Sequence, residues 1–181
     1  LADVLQQPRS HLLAWPEKRL TAAQHAAFRQ LLDRRRNGEP VAYLTGEREV
    51  WSLPLEVTTD TLIPRPETET LVALALKRIP ADTPQLVVDL GTGSGAIALA
   101  IASERPRCTI IATERNPAAL AVAEENARRL GITTVSFRSG HWCEPLGELQ
   151  ADLIVSNPPY IAAADPHLTQ GDVRHEPLSA L

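Results

Sequence analysis

Leu86-Val87-Val88-Asp89-Leu90-Gly91-Thr92-Gly93-Ser94-Gly95-Ala96, continuing as an Ala- and Ile-rich run to Glu104, is the stretch that decides the fold. Its first five residues suit a short strand buried on both faces, and the helical run after the glycines suits a helix packed back on that strand. The same alternation recurs downstream. Thr109 to Thr113 reads as a second strand, Asn116 and Pro117 supply a cap and a first helical residue, and Ala118 to Leu130 forms a helix that Gly131 ends. Thr134 to Arg138 and Asp152 to Ser156 provide two more strands. Strand and helix alternating at this spacing predict an α/β domain with a doubly wound, mostly parallel, Rossmann-like sheet.

Working outward, residues 1–42 read as a small helical domain: Leu1 to Trp15 is helical in pattern, and Thr21 with Gln24 has the capping-box spacing. Residues 43–63 change to Val, Leu, Trp and Thr with alternation, which predicts a β-hairpin linker. Residues 64–181 form the sheet domain, opened by a helix with Pro66 in its first turn and Lys77 and Arg78 in its last. Only 25 residues follow Ser156, and with Pro166, Gly171 and Pro177 they read as loop. The sheet is therefore expected to stop after about four strands, leaving an exposed apolar edge, as in a fragment of a longer protein.

Composition narrows the function classes. A 44% hydrophobic, 22% charged chain of 181 residues can bury a core. No apolar run is long enough for a membrane span and no secretory leader is visible, which predicts a cytoplasmic protein. The net charge of −4 argues against a direct nucleic-acid partner held by a basic surface. Cys108 and Cys143 form no C-x-x-C pair, and the five histidines show neither metal nor triad spacing, so no metal is expected.

The glycine turn follows a strand and opens a helix, the context of a nucleotide-binding turn. Gly91, Gly93 and Ala96 fit the dinucleotide spacing G-x-G-x-x-G/A, whereas the glycine at 95 gives G-x-G-x-G, over whose bare backbone an aminoacyl chain and a ribose can lie. S-adenosylmethionine (AdoMet) suits the second spacing. Gly91, Thr92, Gly93, Ser94 and Gly95 are then cofactor-binding candidates. Glu114, 23 residues beyond Gly91 at the next strand end, is spaced to accept from ribose hydroxyls, and Trp142 could flank the adenine.

The last strand runs into Asn157-Pro158-Pro159-Tyr160. Two prolines fix φ near about −65° and remove two amide donors, leaving the Asn157 side chain and the Pro158 carbonyl as a stiff acceptor pair for an NH₂ group. Tyr160 can pack on the planar face of such a group. Asn157, Pro158 and Tyr160 are the catalytic candidates, Asn157 to Tyr160 the substrate-binding ones, with Asn157 also bordering the cofactor.

Leu62-Ile63-Pro64-Arg65-Pro66-Glu67-Thr68-Glu69, Asp89 to Ile97, Ser156 to Tyr160, Gly171 to Arg174 and Glu176-Pro177-Leu178 together resemble the peptide chain release factor glutamine N5-methyltransferase family (PrmC/HemK). The resemblance implies AdoMet-dependent methylation of the glutamine side-chain amide in the Gly-Gly-Gln motif of bacterial class 1 release factors. It also implies an N-terminal helical domain that engages the release factor, and a seven-stranded catalytic sheet of which this chain holds the first part. His141 stands where the family usually has an acid, and Val50, Glu56 and His175 stand where it often has aromatics. Three other readings stay open on the residues alone: methylation of an adenine or guanine amino group in RNA or DNA, a non-catalytic binding module, and a nicotinamide-dependent dehydrogenase.

Overall fold

The computed structural model describes residues 1–162 and 164–181, and the chain divides into two compact units, Leu1–Thr45 and Gly46–Leu181. The first unit holds four helices: α1 (Ala2–Leu5), α2 (Arg9–Ala14), α3 (Ala22–Arg36) and α4 (Val41–Thr45). The continuous helix expected over Leu1 to Trp15 is two helices. Gln6 turns left-handed at φ 47°, and Pro8, which cannot donate an amide and disfavours helix in the residue before it, restarts the chain. The capping box at α3 is formed, with Thr21 Oγ1 accepting from the Gln24 amide at 3.2 Å and Gln24 Oε1 from the Thr21 amide at 3.0 Å.

In the second unit, β1 (Glu47–Val50) and β2 (Leu53–Glu56) form the antiparallel hairpin, narrower than the 43–63 window because Val41–Thr45 is helical. Trp51 and Ser52 turn it with φ of 52° and 60°, the left-handed pair that a two-residue hairpin needs. Two glutamates hold this turn. Glu69 accepts from the Trp51 amide at 2.9 Å and Glu104 from its indole at 2.8 Å.

The sheet consists of β3 (Leu86–Leu90), β4 (Thr109–Glu114), β5 (Val135–Ser139) and β6 (Leu153–Ser156), all parallel, in the order β5-β4-β3-β6. Between β3 and β6 the winding reverses direction. Three helices, α5 (Pro66–Arg78), α6 (Ala96–Glu104) and α7 (Pro117–Leu130), alternate with the strands. Side chains on a strand alternate faces, so Val87, Ile110, Ala112 and Val155 pack with α5 and α6, while Val88, Leu90 and Ile111 pack with Leu146 from the β5–β6 connection. Every residue of α6 from Ala96 to Ala102 is buried, which explains why its sequence is apolar all round. On its second side Leu99 meets Ala127 of α7 and the hairpin residues Val50 and Leu55. Ile154 on the border strand β6 is 53% exposed. Among the described residues no helix is long and apolar enough to cross a membrane.

Candidate functional site

The four strands end on one rim, and the turns leaving them enclose a cavity of about 1020 Å³ including its open mouth. Gly91 to Ser94 come to it from β3, Glu114 to Asn116 from β4, Gly140 to Trp142 from β5 and Asn157 to Pro159 from β6. Ligand crevices in open parallel sheets form at this carboxyl end where the winding reverses.

The glycine turn is built by backbone bonds to the neighbouring strand. Thr113 carbonyl accepts from the Gly91 amide at 2.9 Å and the Thr92 amide at 3.0 Å, and the Glu114 carboxylate accepts from Gly93 at 3.0 Å and from Asn116 at 2.9 Å. Gly91 and Gly93 have φ of 72° and 57°, and a methyl on either would meet nothing within 4 Å, so their bare backbone faces open space. Gly95 differs. A Cβ there would lie 3.0 Å from Leu99 and 3.3 Å from Ala123, so its missing side chain leaves room for helix packing, and Gly95 is not among the cavity-lining residues. Beneath the turn Asp89 is fully buried; its Oδ2 accepts from Thr92 Oγ1 at 2.7 Å, and its Oδ1 has no protein partner among the described residues. Burial pushes this carboxyl up to about 6; hydrogen bonding from the Thr92 hydroxyl and the Ala98 backbone amide opposes the rise, and nearby Glu114 adds a smaller part to it.

Trp142 lines the cavity with a left-handed backbone, φ 50°, held by Thr113 Oγ1 donating to its carbonyl at 3.0 Å. His141 meets its ring edge-on at 5.9 Å between centroids. On the β6 side, Ser156 Oγ donates to the Leu90 carbonyl at 2.8 Å, which fixes the strand end just before Asn157. Among the described residues neither the Asn157 carboxamide nor the Pro158 carbonyl has a protein partner. Tyr160 stands apart from the other candidates: it is 77% exposed and lines an adjoining notch with Leu62, Arg65, Pro158 and Leu181.

The cavity thus brings together Gly91, Thr92, Gly93, Ser94, Glu114, Trp142, Asn157, Pro158 and Pro159, and leaves Gly95 and Tyr160 outside its lining. Sequence reasoning missed Asp60, Leu62, Pro64, Asn116, Ser179 and Ala180, which line it too. The signal for part of this wall was present, since Leu62 to Glu69 and Glu176 to Leu178 both carried the family resemblance without being given a place in the site. Buried Asn126 of α7 was missed as well; it donates to the Ser94 carbonyl at 2.9 Å and to the Glu56 carbonyl at 3.0 Å, tying the turn to the hairpin.

A bare-backbone cradle, a carboxylate at the next strand end and an indole beside it fit the aminoacyl, ribose and adenine parts of AdoMet in kind. The PrmC N-terminal domain family matches residues 1–46. The release factor glutamine methyltransferase of Escherichia coli (strain K12) is 54% identical over 181 residues, all of this chain and 65% of that protein. That of Vibrio cholerae serotype O1 is 54% identical over 182 residues, 63% of its length. The likeness carried by the motifs therefore extends along the whole chain, which spans a little under two thirds of the length of these relatives. Among solved structures, Trm5b from Pyrococcus abyssi shares the fold with a TM-score of 0.53 at 23% identity, over 64% of this chain and 34% of that one. The methyltransferase small domain family matches residues 68–173, more than half of the sequence and all of the parallel sheet, and the chain belongs to that family.

Proposed function

We propose that this chain binds AdoMet and methylates the side-chain amide nitrogen of the glutamine in the Gly-Gly-Gln motif of bacterial class 1 release factors, with the release factor as its protein partner in the cytoplasm. The observation that carries the reading is the meeting, in one cavity, of the glycine turn with Glu114 and of the unpartnered Asn157 and Pro158 oxygens. Gly91 to Ser94, Glu114 and Trp142 would hold the cofactor. Each oxygen of Glu114 already accepts one backbone amide, and the second lone pair of each is left for the ribose hydroxyls. When bound, AdoMet supplies an electrophilic methyl group on a sulfonium.

An amide nitrogen is a weak nucleophile because its lone pair is delocalised into the carbonyl, so the protein's contribution is alignment and charge stabilisation. The Asn157 side-chain oxygen and the Pro158 carbonyl accept the two amide hydrogens and fix the direction of the nitrogen. The same oxygens stabilise the positive charge that develops there. Tyr160, in the adjoining notch, packs against the peptide that carries the glutamine rather than closing the cofactor cavity. No side chain in Asn157 to Tyr160 is a base able to deprotonate a neutral amide, which leaves proton loss to accompany or follow transfer.

Incubating the full-length protein with methyl-labelled AdoMet and either a release factor or RNA, then locating the label, tests the reading. Label on the glutamine amide is the expected result; label on a base amino group overturns it in favour of a nucleic-acid methyltransferase.

A further inference from the structure

We propose that Arg65 and Glu176 are positioning residues that clamp the segment Pro177 to Leu181 against Asn157 to Ile161 and so fix the site that receives the amide nitrogen. The side chain of Glu176 is wholly enclosed. One of its oxygens accepts from the Ile63 amide at 3.0 Å and the other pairs with the Arg65 guanidinium. These partners lie 113 and 111 residues away in sequence.

Each end of this link reaches the site wall. Leu62 and Pro64, on either side of Ile63, line the large cavity, and so do Ser179 and Ala180, which follow Glu176 in a short 3₁₀ turn. One residue further, the Leu181 carbonyl accepts from the Tyr160 and Ile161 amides, both at 2.8 Å. The chain leaving the acceptor pair is thus held from outside by a segment whose own anchor is Glu176. Pro158 and Pro159 stiffen the motif from within but have no amides with which to fasten it to a neighbour.

An enclosed carboxylate is costly, and an apolar side chain of the same volume would pack the segment at less expense. What the carboxylate adds is direction. Its two oxygens fix a backbone amide of the Leu62–Pro64 wall and a guanidinium at the rim of the Tyr160 notch at the same time, which sets the separation of the two walls across Pro158.

The inference rests on the amide-methylating reading of the site, and the test separates the two. In full-length protein, Glu176→Gln keeps the volume and an acceptor for Ile63 but loses the ion pair, and Arg65→Lys keeps the charge but loses the planar guanidinium. For both we expect faster hydrogen exchange at the Tyr160 and Ile161 amides, by roughly tenfold or more. The kcat for glutamine methylation falls by about tenfold or more, because misplacement of the acceptors is felt directly in alignment. AdoMet affinity by calorimetry stays unchanged, and Arg65→Lys retains more activity than Glu176→Gln.

Unchanged exchange and kcat in both variants would overturn the proposal, as would AdoMet affinity falling in step with kcat, which would mean general loosening. If wild-type protein labels no glutamine, the functional reading fails, while the exchange measurement still reports whether the clamp exists. Should Glu176→Gln not fold, Arg65→Lys carries the same readouts.

Discussion

Asn157 and Asp89 are both polar residues at strand ends, and their surroundings give them opposite work. Asn157 has no protein partner among the described residues, so its carboxamide is available to a substrate. Replacing it by alanine removes one oriented acceptor and is expected to lower kcat by roughly 10²-fold. Folding should be unaffected; a variant that keeps full turnover would exclude Asn157 from the reaction. Asp89 has no exposed surface, and burial raises its carboxyl from 3.8 to about 6. Between these values the folded protein binds more protons than the unfolded chain. The stabilisation from that uptake is fully present below about pH 4 and is lost as pH rises through about 6, a change of roughly 3 kcal/mol for a two-unit shift. Asp89→Asn has no such titration. Urea unfolding at pH 4 and pH 7 is therefore expected to show the asparagine variant gaining on wild type by about that amount at the higher pH. An identical difference at both values would mean the carboxyl is not raised.

At the level of elements, the turn between β3 and α6 shows what was legible and what was not. Periodicity and caps placed β3, α6 and α7 closely, because each is bounded by residues with their own physical signature: the glycine turn from Gly91 to Gly95 between β3 and α6, and Asn116, Pro117 and Gly131 with φ 68° around α7. The break at Gln6 to Pro8 and the helix Val41–Thr45 were not read, since apolar spacing and β-branched content outweighed a proline in each case. In the site, residues that reach the cavity through a motif were legible, whereas Asp60, Ser179 and Ala180 reach it by tertiary folding and have no local signature. At Gly95 the glycine was legible, but not the close approach of Leu99 and Ala123 that leaves no room for a side chain there. Gly93→Ala must bear a left-handed backbone at φ 57° with no clash, costing about 1–2 kcal/mol, and puts a methyl on the open face of the turn. Gly95→Ala bears φ 85° and also drives a methyl against Leu99 and Ala123, adding about 1–3 kcal/mol of overpacking. Melting curves and AdoMet titrations of the two should diverge: Gly93→Ala weakens AdoMet binding more than stability, and Gly95→Ala does the reverse. The same ordering in both measurements would count against assigning Gly93 to the ligand and Gly95 to packing.

For the molecule as a whole, stability is unevenly divided. None of the helices α1 to α4 contains a buried residue, and Leu13 and Trp15 are 83% and 55% exposed. The 45 residues of the first unit therefore gain little from apolar burial, and a 15-residue helix such as α3 is marginal in water on propensity and capping alone. In the second unit Val87, Val88, Ile110, Leu99 and Ile101 have no exposed surface, and β3 is paired on both sides. Local opening should be much easier in the first unit than in the central strands. Hydrogen exchange followed by mass spectrometry on the full-length protein is expected to show amides of residues 22–36 exchanging at least about 100-fold faster than those of β3 and β4, after correction for intrinsic rates. Equal protection in the two regions would show that the helices open only when the sheet does, and that their stability comes from contacts they do not make within their own unit.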